Sequence, residues 1–577
     1  MEEESKTLPF DVEQDATFET MIALDKAPAP FMLSVFDQQA LYLPGPSTVT
    51  LYDGQIDVKR LHQAISLAIA AAPQMSARLT SSTFGKLHGA FVAVMSLGGV
   101  HLPGLHTWRS HISCCWPATG HGVVLKIQPL DPELEAHLIG NSDNVHGSGG
   151  LDSPWGRISD PAKIQAVDAL VSLVGKGSDL IDTGAPLATV VLSRGSRLST
   201  LGVNVTHGLV DAPAYYTFLG AIAAAYNGAP LVKVPHLDNA LQHVWLPWQS
   251  LSRSARTTLR TPQRVLSGLR WGQMFAKFVL KPDCQTRTFT VQLSKDKCAA
   301  IKAAIAQAPG AGSPPRSTND ALVQFCAPDG VQLLTHIINA RGRVAGVPKE
   351  IFGSSGNGYM LVTRAVPSGE AFSHHTVRES VDKAFEQPRL SLMPILRERT
   401  CFSWNSWAKA TRLPELDGTE LLAHHQLMIG LNNPQLAHVF FANALVSCCD
   451  TRGSLAICVI SRSPEHARKL ERALIELDVP FRVTDKGANL VTSSAAKEDL
   501  YVDKADEVSH AETTSTPWCA SLVCLLCCIK CQTFDRLVQC LLFGMCCYFP
   551  GRAGTLADHE LSIGSATDDF TTLQPLV

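Results

Sequence analysis

The sequence predicts a mixed α/β (α+β) protein, on three observations. Residues 1–228 alternate strand-like and helical patterns, residues 286–485 do so again, and a stretch rich in Pro and basic residues, 229–285, lies between them. At 577 residues the chain exceeds one ordinary domain. Five segments follow from composition: an N-terminal lobe (1–228), a basic crossover (229–285), a C-terminal lobe (286–485), a polar, acidic linker (486–517) and a cysteine-rich tail (518–577).

The elements that frame the argument come in order. From Ile56 to Ala72, the residues Val58, Leu61, Ile65, Ala68, Ile69 and Ala72 recur at three- and four-residue spacing and Pro73 follows, which predicts an amphipathic helix. From Thr200 to His207 the pattern alternates instead. Leu201, Val203, Val205 and His207 share one face of a predicted strand, and Gly202, Asn204 and Thr206 share the other. Gly208 breaks the strand. Pro213 suits an early helical position, and Tyr215, Phe218, Leu219, Ile222 and Tyr226 have helical spacing up to the stop signal Asn227-Gly228. His207 is therefore expected at the end of a strand, facing inward, with Asp211 in the turn before a helix.

Composition narrows the function classes. Hydrophobic residues make up 45% of the chain and suffice for large cores, while a net charge of −3 gives no whole-chain argument for nucleic acid. No zinc-finger, P-loop or RNP-type pattern occurs. The N-terminus, Met1-Glu2-Glu3-Glu4-Ser5-Lys6, lacks the pattern of a secretory signal, so a cytoplasmic protein is expected. Of 17 cysteines, nine are scattered over the first 500 residues, as buried reduced thiols commonly are, and eight crowd between Cys519 and Cys547.

His207 and Asp211 form the one His-x-x-x-Asp pattern in the chain. An imidazole there can act as a base near neutral pH, and the aspartate can fix local geometry through a buried ion pair or backbone hydrogen bonds. Spacing alone is weak, since among 20 histidines about one chance match is expected. On spacing alone, Asp211 reads equally as a helix N-cap and His207 as a core histidine.

The surrounding motifs decide between these readings. Leu33-Ser34-Val35-Phe36-Asp37 is followed by Pro73-Gln74-Met75-Ser76-Ala77-Arg78-Leu79, then Gly184-Ala185-Pro186-Leu187, then His207-Gly208-Leu209-Val210-Asp211. Farther on come Ser317-Thr318-Asn319-Asp320-Ala321-Leu322, Asn339-Ala340-Arg341-Gly342-Arg343 and Phe352-Gly353. In this order, over about residues 30 to 480, they resemble the motifs of the BAHD acyl-CoA-dependent acyltransferases, including the trichothecene acetyltransferase branch.

The resemblance implies a two-lobed chloramphenicol-acetyltransferase-like fold with an inter-lobe channel. It implies an enzyme that moves an acyl group from acyl-CoA to a hydroxyl or amine of a small metabolite. His207 would be the general base and Asp211 a structural support pointing away from the channel. Asn405-Ser406-Trp407 stands where the family places Thr-Ser-Trp, so the Asn405 amide is the candidate oxyanion donor, with Trp407 beside it. The alternative for that pair is a strand residue and a core aromatic. Ser317, Thr318 and Arg341 are the candidate acyl-CoA contacts. No metal and no permanently bound cofactor is expected, acyl-CoA being a co-substrate, and the protein is expected to be a monomer.

The chain also departs from the pattern. Ala212 replaces the glycine common after the motif aspartate. The second signature, Asp-Phe-Gly-Trp-Gly-x-Pro, is matched only by Met428-Ile429-Gly430-Leu431-Asn432-Asn433-Pro434. Met428 cannot make the ion pair for which Arg341 would be the natural partner. Two other readings stay open: a condensation-type enzyme working on carrier-protein thioesters, against which Thr206 stands where a second histidine is usual, and a non-catalytic relative that has kept the fold.

Two segments lie outside the motifs. Between Asp238 and Asp283 there is no acidic residue, while Arg253, Arg256, Arg260, Arg264, Arg270, Lys277 and Lys281 are basic. That is either a strip facing phosphates or a membrane surface, or a solvated crossover. In the tail, the apolar runs split by Lys530, Asp535 and Arg536 fall short of the ~20 residues a spanning helix needs. Cys524, Cys527, Cys528 and Cys531 have Cys-x-x-Cys spacing without turn residues or histidine, which favours a monotopic or S-acylated membrane attachment over zinc, with a disordered tail as the third reading.

Overall fold

A computed structural model describes residues 17–33, 37, 40–41, 43, 45–81, 112–139, 169–231, 287–307, 313–339, 341, 356–366, 370–382, 401–426, 442–479, 481–485 and 491–492. The basic crossover from 232 onward, the tail, Phe352-Gly353 and Met428–Pro434 lie outside these residues.

In the first half the strands are β1 (Phe18–Ile22), β2 (Phe31–Met32), β3 (Ser47–Asp53), β4 (Arg78–Ser81), β5 (Ile112–Cys115), β6 (Val123–Pro129), β7 (Ala188–Arg194) and β8 (Leu198–Val205). The helices are α1 (Val58–Ala71), α2 (Pro132–Ile139), the single turn α3 (Gly177–Leu180) and α4 (Ala212–Tyr226). The second half supplies β9 (Arg287–Leu293), α5 (Lys295–Gln307), α6 (Thr318–Cys326), β10 (Leu333–Asn339), β11 (Tyr359–Ala365), α7 (His374–Asp382), β12 (Cys401–Ser406) and β13 (Glu420–Gln426). It closes with β14 (Ala442–Cys448), β15 (Leu455–Ser461), α8 (Pro464–Glu476), β16 (Phe481–Asp485) and β17 (Val491–Thr492).

These strands form two large mixed sheets, as the α+β reading expects. One has the order β1-β6-β7-β8-β3-β13, with β6 and β7 parallel and the other pairs antiparallel. The other has the order β11-β10-β12-β14-β15-β9-β16-β17, with a parallel centre of β10, β12 and β14. A small sheet, β2-β5-β4, stands apart from both.

The predicted helix over Ile56–Ala72 is α1. Asp57 caps it by accepting from the Arg60 N–H at 2.8 Å, and Leu61, Ala64, Ile65, Ala68 and Ile69 are buried. Full burial of each large aliphatic side chain contributes about 1.5–3 kcal/mol. Helix α4 packs beside it, and the Arg60 guanidinium sits 4.3 Å from the centre of the Tyr226 ring while donating to the Tyr226 carbonyl at 2.7 Å.

Strand β8 departs from its expectation in two respects. All eight of its residues are buried, because it runs through the middle of a sheet covered on both faces, so alternation had no solvent face to report. It also stops at Val205, and His207 lies in the turn that follows rather than within the strand.

Strand β13 belongs to the second half of the sequence but completes the first sheet. It pairs antiparallel with β3, and on its inner face His424 is held by the Thr50 hydroxyl at 2.9 Å and by the Tyr216 hydroxyl at 3.1 Å. The approach to β13 is fastened as well. The Tyr52 hydroxyl donates to the Pro414 carbonyl at 2.6 Å, and the Asn227 side chain bonds the backbone of Glu415 and Asp417.

Candidate functional site

The turn after β8 carries the site. Its geometry begins with Asp211, which caps α4 by accepting from the Ala214 N–H at 3.1 Å. The same carboxylate accepts from both ends of the Arg341 guanidinium, at 2.6 and 2.9 Å, and from the Gly358 N–H at 2.8 Å. The pair is largely shielded from solvent, the side chains of Asp211 and Arg341 being 4% and 10% exposed. Arg341 also donates to the Gly356 carbonyl at 2.8 Å and to the Asn339 side chain at 3.3 Å. Gly358 must lack a side chain here, because a Cβ would lie 2.8 Å from the Arg341 guanidinium carbon.

Arg341, expected as an acyl-CoA contact and as the natural partner for the second signature, is the counter-ion of Asp211. The ion pair and backbone bonds foreseen for Asp211 are present, and none of its named partners is His207.

The imidazole of His207 is oriented by a residue from the far side of the sequence. Its Nδ1 lies 3.1 Å from the Asn357 Oδ1. Asn357 is 2% exposed; its side-chain amide donates to the His207 carbonyl at 2.8 Å and to the Asp37 carboxylate at 2.9 Å. The Asn357 backbone N–H donates to the same Asp37 oxygen at 3.0 Å. An isolated parallel bridge between Val210 and Gly356 holds the two segments together. The Tyr359 ring stands edge-on to His207, centroid to centroid 5.9 Å.

Burial lowers the His207 pKa below its usual range, opposed by hydrogen bonds that its own backbone carbonyl and the Asn357 side-chain oxygen accept from the ring and by the Asp211 charge. The ring is therefore neutral at pH 7 and able to accept a proton. His207 keeps part of its surface open to solvent, while Leu209, Val210 and Asp211 beside it are buried. The Tyr359 phenol stays protonated, its pKa raised by burial and by the charges of Asp211 and Asp37.

The other predicted residues lie on the second sheet. Ser317 is the N-cap of α6, accepting from the Asp320 N–H at 3.1 Å while Asp320 accepts from the Ser317 N–H at 3.1 Å, and Thr318 is the first helical residue. The Asn319 side chain accepts from the Trp404 indole at 2.9 Å, which ties this helix start to β12. Asn405 follows Trp404 on β12, half-buried, directly beside Leu445 of β14. Residues side by side on neighbouring strands point the same way. Since Leu445 belongs to the core of the first half, Asn405 faces that half. Trp407 is buried in the same core, edge-on to Tyr216 at 6.3 Å, so it is a packing aromatic as well as a site candidate.

Asn357 and Asp37 were not singled out from the sequence as site residues. The motif match stops at Phe352-Gly353, whereas Asn357, four residues beyond that glycine, is the residue that reaches His207. The Gly356-Asn357 pair so close behind the motif is the signal the sequence offers. Among the described residues no group of three or more His, Cys, Asp or Glu side chains is placed to hold a metal ion, and no helix is long and apolar enough to cross a membrane.

No family description matches the chain, and no curated protein does. Solved structures do. Vinorine synthase is 16% identical, the match covering 80% of this chain and 98% of that one, with a TM-score of 0.49. TRI101 of F. graminearum in complex with coenzyme A and deoxynivalenol is 13% identical over 78% of this chain and 98% of that one, at a TM-score of 0.48. The condensation domain of the monacolin K polyketide synthase MokA is 12% identical over 78% and 97%, at 0.45. At such identities the likeness is one of chain path and assigns no residue a role.

Proposed function

We propose that the protein is an acyltransferase that moves an acyl group from acyl-CoA to a hydroxyl, or an amine, of a small metabolite, with His207 as general base. The observation that supports it most is the setting of His207: neutral, partly open to solvent, its Nδ1 held by Asn357, and its motif turn braced by the Asp211–Arg341 pair rather than by contact with the ring.

In this reading Nε2 of His207 takes the proton of the acceptor hydroxyl as its oxygen attacks the thioester carbonyl. The carbonyl electrons move onto oxygen, where the Asn405 amide is the donor assigned to them. When the intermediate collapses the C–S bond breaks, and the CoA thiolate recovers the proton from the imidazolium. Ser317 and Thr318 at the start of α6 are assigned to the acyl-CoA side. Holding both substrates beside one base lowers the barrier through proximity as well as proton transfer. The protein would act as a monomer in the cytoplasm, and residues 518–549 of the tail would supply membrane contact.

The test is release of free thiol from a panel of acyl-CoAs in the presence of hydroxylated and amine acceptors. Turnover is expected with wild type and a loss on the order of 10²-fold or more in kcat with His207→Ala, at unchanged melting temperature. A His207→Ala protein that keeps more than about a tenth of the rate removes the base from this mechanism.

A further inference from the structure

We propose that Asp37 and Asn357 are positioning residues that decide which nitrogen of His207 is basic: Asp37 orients the Asn357 amide, and that amide keeps the imidazole proton on Nδ1, leaving the Nε2 lone pair for the substrate. The inference rests on the reading of His207 as base given above.

Hydrogen-bond polarity carries the argument. The Asp37 carboxylate has no proton to give, so the group facing it at 2.9 Å must be the Asn357 NH2. The NH2 also donates to the His207 carbonyl at 2.8 Å, which occupies both of its protons. The amide oxygen is then left toward Nδ1 at 3.1 Å, and it can only accept. Two acceptors do not bond, so Nδ1 carries the hydrogen. In a neutral ring the other nitrogen is then bare.

Asp37 and Asn357 are 7% and 2% exposed, so water is poorly placed to substitute for either partner. The arrangement also explains the glycine after the base. A Cβ on Gly208 would fall 2.2 Å from the Leu41 side chain, which is fully buried, so glycine lets the segment carrying Asp37 and Leu41 lie against the motif turn. The Asp211 carboxylate, four residues from His207, is engaged with Arg341, Gly358 and Ala214, and the base takes its orientation from a partner 150 residues away.

The experiment reads the tautomer directly. In 15N NMR of protein labelled at histidine, with His207→Gln to identify the His207 signals, the wild-type ring near neutral pH is expected to carry its proton on Nδ1. Asp37→Ala removes the oxygen that accepts from both the Asn357 backbone N–H and its NH2, so the Asn357 amide can turn and offer N–H to Nδ1. The proton is then expected to shift toward Nε2, with kcat lower by on the order of 10²-fold and KM for acyl-CoA little changed. Asn357→Ala, which leaves the ring only backbone partners, should give a mixture of tautomers and a smaller loss. A wild-type proton on Nε2 overturns the proposal, as does an Asp37→Ala protein that keeps both tautomer and kcat. Should Asp37→Ala fail to fold, the wild-type spectrum decides alone. A wild-type protein with the proton on Nδ1 but no thiol release with any acyl-CoA removes the acyltransferase reading and leaves the tautomer assignment standing.

Discussion

Asp211 shows at the scale of one residue how a motif can be read correctly in type and incompletely in partner. A buried carboxylate paired with one arginine and two backbone N–H groups cannot lose its charge without leaving Arg341 buried and uncompensated. Asp211→Asn is therefore expected to lower stability by about 3–5 kcal/mol. Since the bonds described for the carboxylate go to Arg341, Gly358 and Ala214 and none to the ring, kcat of the folded fraction should fall much less than in His207→Ala. Thermal melting beside single-turnover rates checks this; a variant as stable as wild type yet inactive would move Asp211 into the chemistry. The sequence placed His207 and Asp211 together because four residues of spacing carry that information. It was silent on Asn357 and Asp37, whose meeting depends on chain segments separated by 320 residues, and on the choice between Asp211 and any distant carboxylate as the partner of Arg341.

Single elements were legible to different degrees. Helices α1 and α4 have one apolar face or clear stop signals, so three- and four-residue spacing found them nearly to their ends. Strand β8 is buried throughout, and its end was misplaced by the apparent alternation through His207. Helix α6 offers a test at this scale, because its N-cap Ser317 has a capping job besides the acyl-CoA role assigned to it, and its first residue Thr318 has only the latter. The Ser317 side chain closes the capping box, so Ser317→Ala should cost about 1 kcal/mol. Thr318 caps nothing, and Thr318→Ala should instead raise KM for acyl-CoA with little change in melting. Thiol-release kinetics on both variants check the assignment. An unchanged KM in each would leave this helix start a structural element alone.

Across the whole molecule, buried histidines set the response to acid. Burial lowers His424 to about 3, and His336 and His466 to about 4. Above the unfolded value of about 6.5 both states are neutral and the full stability is present. As pH falls below it, the unfolded chain binds protons that the folded one refuses, so stability drops until the folded values are reached. Near pH 5 each of the three should cost about 2 kcal/mol, and urea midpoints should fall steeply between pH 7 and pH 5. An unchanged midpoint would contradict their burial as neutral groups. His424 sits on the strand whose partner periodicity could not announce: a strand pattern tells that β13 is extended, and nothing in it names β3. That crossing has a consequence for how the protein can be made. The halves are not separable modules. Residues 1–228 produced alone would leave the pairing edge of β3 bare and the Thr50 and Tyr216 hydroxyls without His424, an open template for association with other chains. During synthesis the same edge waits until residue 426 has emerged, so the early half is expected to depend on chaperones. Expressed as a fragment, 1–228 should aggregate, and adding 401–448 in trans should not rescue it, because β12 and β14 need their own sheet first. A soluble, monomeric, cooperatively melting 1–228 fragment in size-exclusion chromatography and calorimetry would show the opposite, that the first half completes its fold without the borrowed strand.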